Sequence, residues 1–136
     1  MKHAAITLLL FAMSLPAAGA NSPFGERLST PATVQVVNNL TEDLRMIFSD
    51  GPFINVFGVG ENGVIAQTVG RGRSVNAAAV YGIVFVYNRN FLFILHLQDG
   101  NDYIVRLEGE GDNIAASLIN MTVGTINAVQ PAGFWD

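Results

Sequence analysis

The sequence predicts an all-β fold, a small antiparallel β-sandwich or squat barrel, with one short helix near the C-terminus as its open point. Three observations predict it. Apolar, β-branched and aromatic runs of four to eight residues recur along the chain, and clusters of Gly, Asn and Asp separate them. Half of the 136 residues are hydrophobic and 13% are charged, which is too apolar and too weakly charged for a disordered chain. Internal repeats and low-complexity tracts are absent from the sequence.

Residues 1–20 read as a secretory signal peptide. Lys2 and His3 form its positive end, and Ala4 to Leu15 is an apolar run too short to span a bilayer. Pro16 interrupts that run, and Ala18-Gly19-Ala20 fits a small-x-small cleavage site, so the mature chain is expected to begin at Asn21. Cleavage leaves 116 residues and takes the formal net charge from −4 to −5, because Lys2 is the sole lysine. Six arginines and His96 remain as the basic side chains. The chain has no cysteine, which excludes a disulfide scaffold, a thiolate metal site and a cysteine nucleophile. An exported domain of this size has to hold through its core alone. The acidic balance argues against a sequence-independent grip on nucleic acid, and the mature chain has no candidate transmembrane span.

Residues 21–31, with Pro23, Gly25 and Pro31, read as a flexible N-terminal arm, and residues 32–136 as a single β domain. Thr33 to Val37 is a β-branched strand ending at Asn38-Asn39. Leu44 to Phe48, Phe53 to Val59 and Val64 to Val69 are further strands, separated by Asp50-Gly51-Pro52 and Gly60-Glu61-Asn62-Gly63. After the Gly70-Arg71-Gly72-Arg73 loop come a long apolar run from Ser74 to Tyr87, then Phe91 to Leu97 and Tyr103 to Leu107. Residues 113–120 fit a helix and a strand about equally, and Met121 to Val129 is β-branched enough to close the sheet.

The central strands read as a meander. Turns centred on Arg89 and Gly100 place Tyr81, Ile83, Phe85, Tyr87, Phe91, Phe93, Leu95, Leu97, Tyr103, Val105 and Leu107 on one uncharged core face. His96, Arg106 and Glu108 share the other face with Gly82, which suggests a polar pocket there. A slip of one residue in either turn exchanges the faces.

Candidate sites follow from these placements. Arg71 and Arg73 are suited to holding a carboxylate, sulfate or phosphate through paired N–H donors. His96 is the mature chain's only candidate for a neutral-pH acid or base, and Arg106 and Glu108 are its expected neighbours. Glu108, Glu110 and Asp112, spaced by glycines, form the densest acidic cluster and the weak metal candidate, while Asp99, Asn101 and Asp102 lie at the opposite end of their strand. Arg89 is expected to pair with Glu108 or Glu110. Asn39 and Asn120 head sequons that matter only in a eukaryotic host, with Asn39 expected in a turn. Phe134-Trp135-Asp136 reads as an aromatic plug for one end of the core. The sequence carries no serine elbow, zinc-protease pair or phosphate loop, and no cofactor is expected.

The stretch Val34-Gln35-Val36-Val37-Asn38-Asn39-Leu40 resembles the first strand of plant self-incompatibility homologues, small secreted β-sandwiches that carry disulfide cysteines; this chain has none. The Val69-Gly70-Arg71 turn resembles one in dirigent-type barrels. Each resemblance covers a few residues, and neither family is adopted. The function expected is a secreted, non-enzymatic binding module for an extracellular glycan or protein ligand. Its rivals are a toxin or effector acting on another cell, suggested by the lysine-free mature chain, and a small hydrolase or isomerase-like enzyme using His96 or the loop carboxylates.

Overall fold

The computed structural model describes residues 23–51, 63–111 and 113–134. The expected leader, the expected strand Phe53 to Val59, Asp112 and Trp135-Asp136 lie outside the described residues. Ten strands follow in chain order: β1 Arg27–Leu40, β2 Leu44–Ser49, β3 Val64–Val69, β4 Ser74–Tyr81, β5 Ile83–Tyr87, β6 Phe91–His96, β7 Asp102–Glu110, β8 Asn113–Asn120, β9 Thr125–Val129 and β10 Gly133–Phe134. They form two five-stranded sheets, β4-β1-β7-β8-β9 and β10-β6-β5-β2-β3, packed face to face as a sandwich rather than a closed barrel. Residues 113–120 are strand, and the described residues contain no helix.

The main core lies between the sheets. Val34, Val36, Tyr103, Val105 and Leu107 face it from the first sheet, and Leu44, Met46, Val84, Val86, Phe93 and Leu95 from the second. A second cluster of Phe24, Ile47, Tyr81 and Phe85 is buried apart from that core, with Phe24 edge-on to Phe85 at a centroid distance of 5.8 Å. This explains why β5 and β6 lack polar alternation: one face of each is buried in the main core, and the other carries buried or half-buried apolar side chains packed at the second cluster. It also brings the expected N-terminal arm into the fold. Phe24 is wholly buried, its carbonyl accepts from Ile83 N at 2.8 Å, and β1 starts at Arg27, ahead of the predicted Thr33.

Three expectations need correction. The run Ser74 to Tyr87 is two strands in different sheets. Gly82 marks the crossing: its N–H donates to Glu26 O at 3.0 Å, its carbonyl accepts from Leu97 N at 2.7 Å, and a Cβ there would sit 3.2 Å from the Leu97 oxygen. The β5–β6 register is offset by one residue. Tyr87 pairs with Leu92 and Val86 with Phe93, because Asn88 N donates to Phe91 O at 3.1 Å and the turn centre falls between Arg89 and Asn90. Val84 and Val86 therefore face the core, while Tyr81, Ile83, Phe85 and Tyr87 belong to the second cluster.

Lastly, β7 does not continue the meander. It lies parallel to β1 and antiparallel to β8 in the other sheet. The Asp99-Gly100 turn forms as expected, with Gly100 at a φ of 70°, but it carries the chain between sheets. It is fastened to β1 by Thr30 N donating to Asp99 Oδ1 (2.6 Å), Gly100 N to Thr30 O (3.0 Å) and Thr33 N to Asn101 O (3.1 Å).

Candidate functional site

The parallel pairing of β1 with β7 sets Leu40 beside Gly109, and β2 then begins at that same end with Arg45 opposite Tyr87. The 41–43 connection, the 70–73 loop and the 88–90 turn gather there. Between them is an open groove of about 670 Å³, bordered by Glu42, Asp43, Arg45, Arg71, Tyr87 and Arg89. Its framework is a buried amide. Asn38 is fully buried; its Nδ2 donates to Val69 O and Glu42 O, each at 2.9 Å, and its Oδ1 accepts from Leu40 N at 3.0 Å. Asn38 N donates to Arg73 O at 2.9 Å, and Asn38 O accepts from Gly72 N at 2.7 Å. One residue thereby fixes both loops that carry the groove.

The charged side chains divide the work. Arg89 meets Glu42 in a forked pair, Nε to Oε1 at 3.1 Å and Nη2 to Oε2 at 3.3 Å. Both side chains are well exposed, so the pair contributes about 0–1 kcal/mol. This corrects the expectation that Arg89 pairs with Glu108 or Glu110, which sit on a strand of the opposite sheet. Asp43 Oδ1 accepts from the backbone N–H of Arg71 at 3.0 Å, which positions the loop without neutralising the guanidinium. Arg45 Nη1 reaches the Thr68 hydroxyl at 3.2 Å. Among the described residues, neither Arg45 nor Arg71 has a carboxylate in salt-bridge range. The half-buried Tyr87 ring lies beside Arg45 on the same face of the sheet.

The residues singled out from sequence are partly united here. Arg71 lines the groove; Arg73 is exposed in the same loop, its backbone tied to Asn38 and Gly70. His96 does not join Arg106 and Glu108. It is exposed at the end of β6, paired with Ile83 in the second sheet, whereas Arg106 and Glu108 are exposed on the outer side of the first. The two outer faces point in opposite directions, so the expected polar pocket does not form. The cause is the transfer of β7 to the first sheet.

Glu108 and Glu110 are exposed neighbours on β7, and Asp112 lies outside the described residues. Among the described residues no three acidic or histidine side chains gather closely enough to hold a metal. The other acidic cluster is engaged structurally: Asp99 caps Thr30, and Asp102 Oδ1 accepts from the Thr33 hydroxyl at 2.5 Å. Asn39 lies in β1 rather than a turn, with its side chain exposed. Asn120 is buried and its Oδ1 accepts from Thr122 N (3.0 Å) and Val123 N (3.1 Å), so it builds the β8–β9 turn. Phe134 is 52% exposed and does not plug the core.

Sequence reasoning missed Arg45 and Tyr87 as site residues. The available signal was Arg45 itself, the only charge within Leu44–Ser49. Among the described residues no helix is long and apolar enough to cross a membrane. No protein-family model matches the chain, and comparisons with curated proteins and with solved structures return no match.

Proposed function

We propose that this chain is an exported, non-enzymatic binding module that takes an acidic glycan in the groove at the Leu40 end of the sandwich. One observation carries the reading: Arg45, Arg71 and Arg89 come from three separate elements to one groove beside the Tyr87 ring, and only Arg89 is paired with a carboxylate among the described residues. Unpaired guanidinium groups offer forked N–H donors to a carboxylate or sulfate. An aromatic face beside them gives a sugar ring an apolar surface to lie on. Placement on loops held by a rigid sandwich suits recognition without turnover. The leader supports export, with its basic end, apolar run and small-residue cleavage site in order.

Titration calorimetry with a uronic-acid oligosaccharide and its neutral counterpart tests the site. The acidic sugar is expected to bind and the neutral one to bind far more weakly. Replacing Arg45 and Arg71 together by alanine should reduce affinity by about a hundredfold or more, since each charged hydrogen-bonding contact is worth roughly 1.5–3 kcal/mol. Equal binding of both sugars, or an unchanged affinity in the double variant, would sink the proposal. Export has its own check. Mass spectrometry of the exported protein should find Asn21 at its N-terminus, and a chain that leaves the cell with residues 1–20 attached would count against the leader.

A further inference from the structure

The large hydrophobic side chains that are most exposed among the described residues are Met121 (57%), Val123 (63%), Ile126 (70%) and Phe134 (52%). All four fall in one segment around β9. That segment is also uncharged: from Asn113 to Trp135 there is no Asp, Glu, Lys or Arg, in a chain whose net charge is −4. Among the described residues β9 is the end strand of its sheet, hydrogen-bonded on one side to β8 in an unbroken register from Thr125 to Val129. Thr125, Ile126, Asn127 and Ala128 are exposed whichever way they point.

Natural sheets protect such an edge with a charge, a proline or a bulge, and β9 has none of these. The other edges differ in what they expose. β10 is two residues long, and β3 and β4, though also without charge or proline, carry none of the large exposed hydrophobic side chains.

We propose that β9 pairs with β9 of a second copy of this chain, antiparallel, about a two-fold axis through Asn127. A two-fold contact requires one surface to complement itself, which identical antiparallel strands do in a register centred on a residue. The register centred on Asn127 keeps all five residues paired. It sets Thr125 opposite Val129 of the second copy and Ile126 opposite Ala128. Ile104, Ile119 and Ile126 already form a row across β7, β8 and β9, which this register continues to Ala128 of the second copy, with the second Ile126 on the diagonal.

The same register ends at Thr125 opposite Val129 and brings the 121–124 turn of one copy toward the segment that follows Val129 in the other. Ile126 then lies in the seam, with Met121 and Val123 on the turn beside it and Phe134 on β10 of the facing sheet. Five edge residues cover less than the roughly 800 Å² per partner usual in a stable complex. The turn and the segment after Val129 have to supply the rest, which this register allows. The seam opposes no like charges, so two acidic bodies meet where repulsion is least. None of this depends on what the groove binds.

Sedimentation of the mature chain over a micromolar concentration range is expected to show a monomer–dimer equilibrium. Ile126→Lys with Ala128→Lys sets lysines opposite each other across the axis, and should weaken the dimer by about tenfold or more. Its unfolding midpoint, measured at concentrations where the parent chain is monomeric, and its binding of the acidic oligosaccharide should stay as in the parent chain. Asn127→Cys introduces the only cysteine, and opposed Cα atoms about 4.5–5.5 Å apart are within disulfide reach. Mild oxidation should therefore yield a covalent dimer, while Thr68→Cys on the β3 edge stays monomeric. A parent chain that is monomeric throughout, a dimer that survives the lysine pair, or a dimer in which Asn127→Cys fails to cross-link would each overturn the assignment.

Discussion

Asn38→Ala is expected to lower the unfolding free energy by roughly 3–5 kcal/mol and to disorganise the groove in the molecules that remain folded. The side chain is wholly enclosed and makes three hydrogen bonds, to Val69 O, Glu42 O and Leu40 N. Truncation removes all three and leaves those backbone groups with no replacement partner in a dry environment, at about 1–3 kcal/mol for each group that stays buried. The Glu42 carbonyl is the least enclosed, so the total falls short of three full penalties. Against a total stability of about 5–15 kcal/mol, the loss is large. Asn38→Asp keeps the shape but turns acceptor oxygens toward two carbonyls, and should cost at least as much at neutral pH. Acidification should restore part of that loss, because a protonated carboxyl can donate to one of the carbonyls. Urea unfolding of the parent and both variants gives the comparison. A loss below about 1 kcal/mol in Asn38→Ala would mean that water replaces the amide, and that Asn38 does not organise the two loops.

Strand positions were legible in the sequence because composition is local. Val64 to Val69 matches β3 to the residue, and Leu44 to Phe48 matches β2 within one residue, since β-branched and aromatic runs end where Gly, Asn and Asp begin. Which sheet a strand joins was not legible. Gly82 is a single glycine in an apolar run, and nothing local separates a bulge from a crossing between sheets. The partner of β7 was also hidden: its parallel neighbour β1 lies some 70 residues upstream, whereas the Asp99-Gly100 turn invites a hairpin with β6.

The register error of one residue came from Asn88. Its Oδ1 accepts from Asn90 N (2.7 Å) and Phe91 N (3.3 Å), which moves the turn centre off Arg89 and exchanges the faces of β5. The same facts explain why the groove was only half visible. Arg71 announced itself in a glycine loop. Arg45 and Arg89 became its neighbours only once β2 and β5 paired and the Asn38 amide drew in the 70–73 loop.

Gly109→Ala and Gly111→Ala should separate two readings of Glu108-Gly109-Glu110-Gly111-Asp112. As a chelating loop, the segment would use both glycines for flexibility, and the two variants would behave alike. As the end of the β7–β8 hairpin, it uses them differently. Gly109 has a φ of 116°, and a Cβ there would overlap the backbone carbonyl oxygen of Asn113, while Gly109 is itself paired with Ile114. Backbone cannot yield as a side-chain tip would, so the alanine has to break that pairing as well as enter a region that side chains avoid. Strain of about 1–3 kcal/mol together with about 1 kcal/mol for the broken pairing gives an expected loss of about 3–4 kcal/mol. Gly111 has a φ of 60°, and an added Cβ meets nothing within 4 Å. Its alanine should cost only the left-handed penalty of about 1 kcal/mol. Thermal unfolding of both variants, with and without calcium, is expected to keep a gap of about 2 kcal/mol whichever condition is used. Equal losses, or a gap that closes when calcium is added, would return the segment to the metal reading. A persistent gap would make Gly109 the residue that keeps β7 paired with β8 as far as Glu110 and Asn113, at the end of the sandwich where the groove is built.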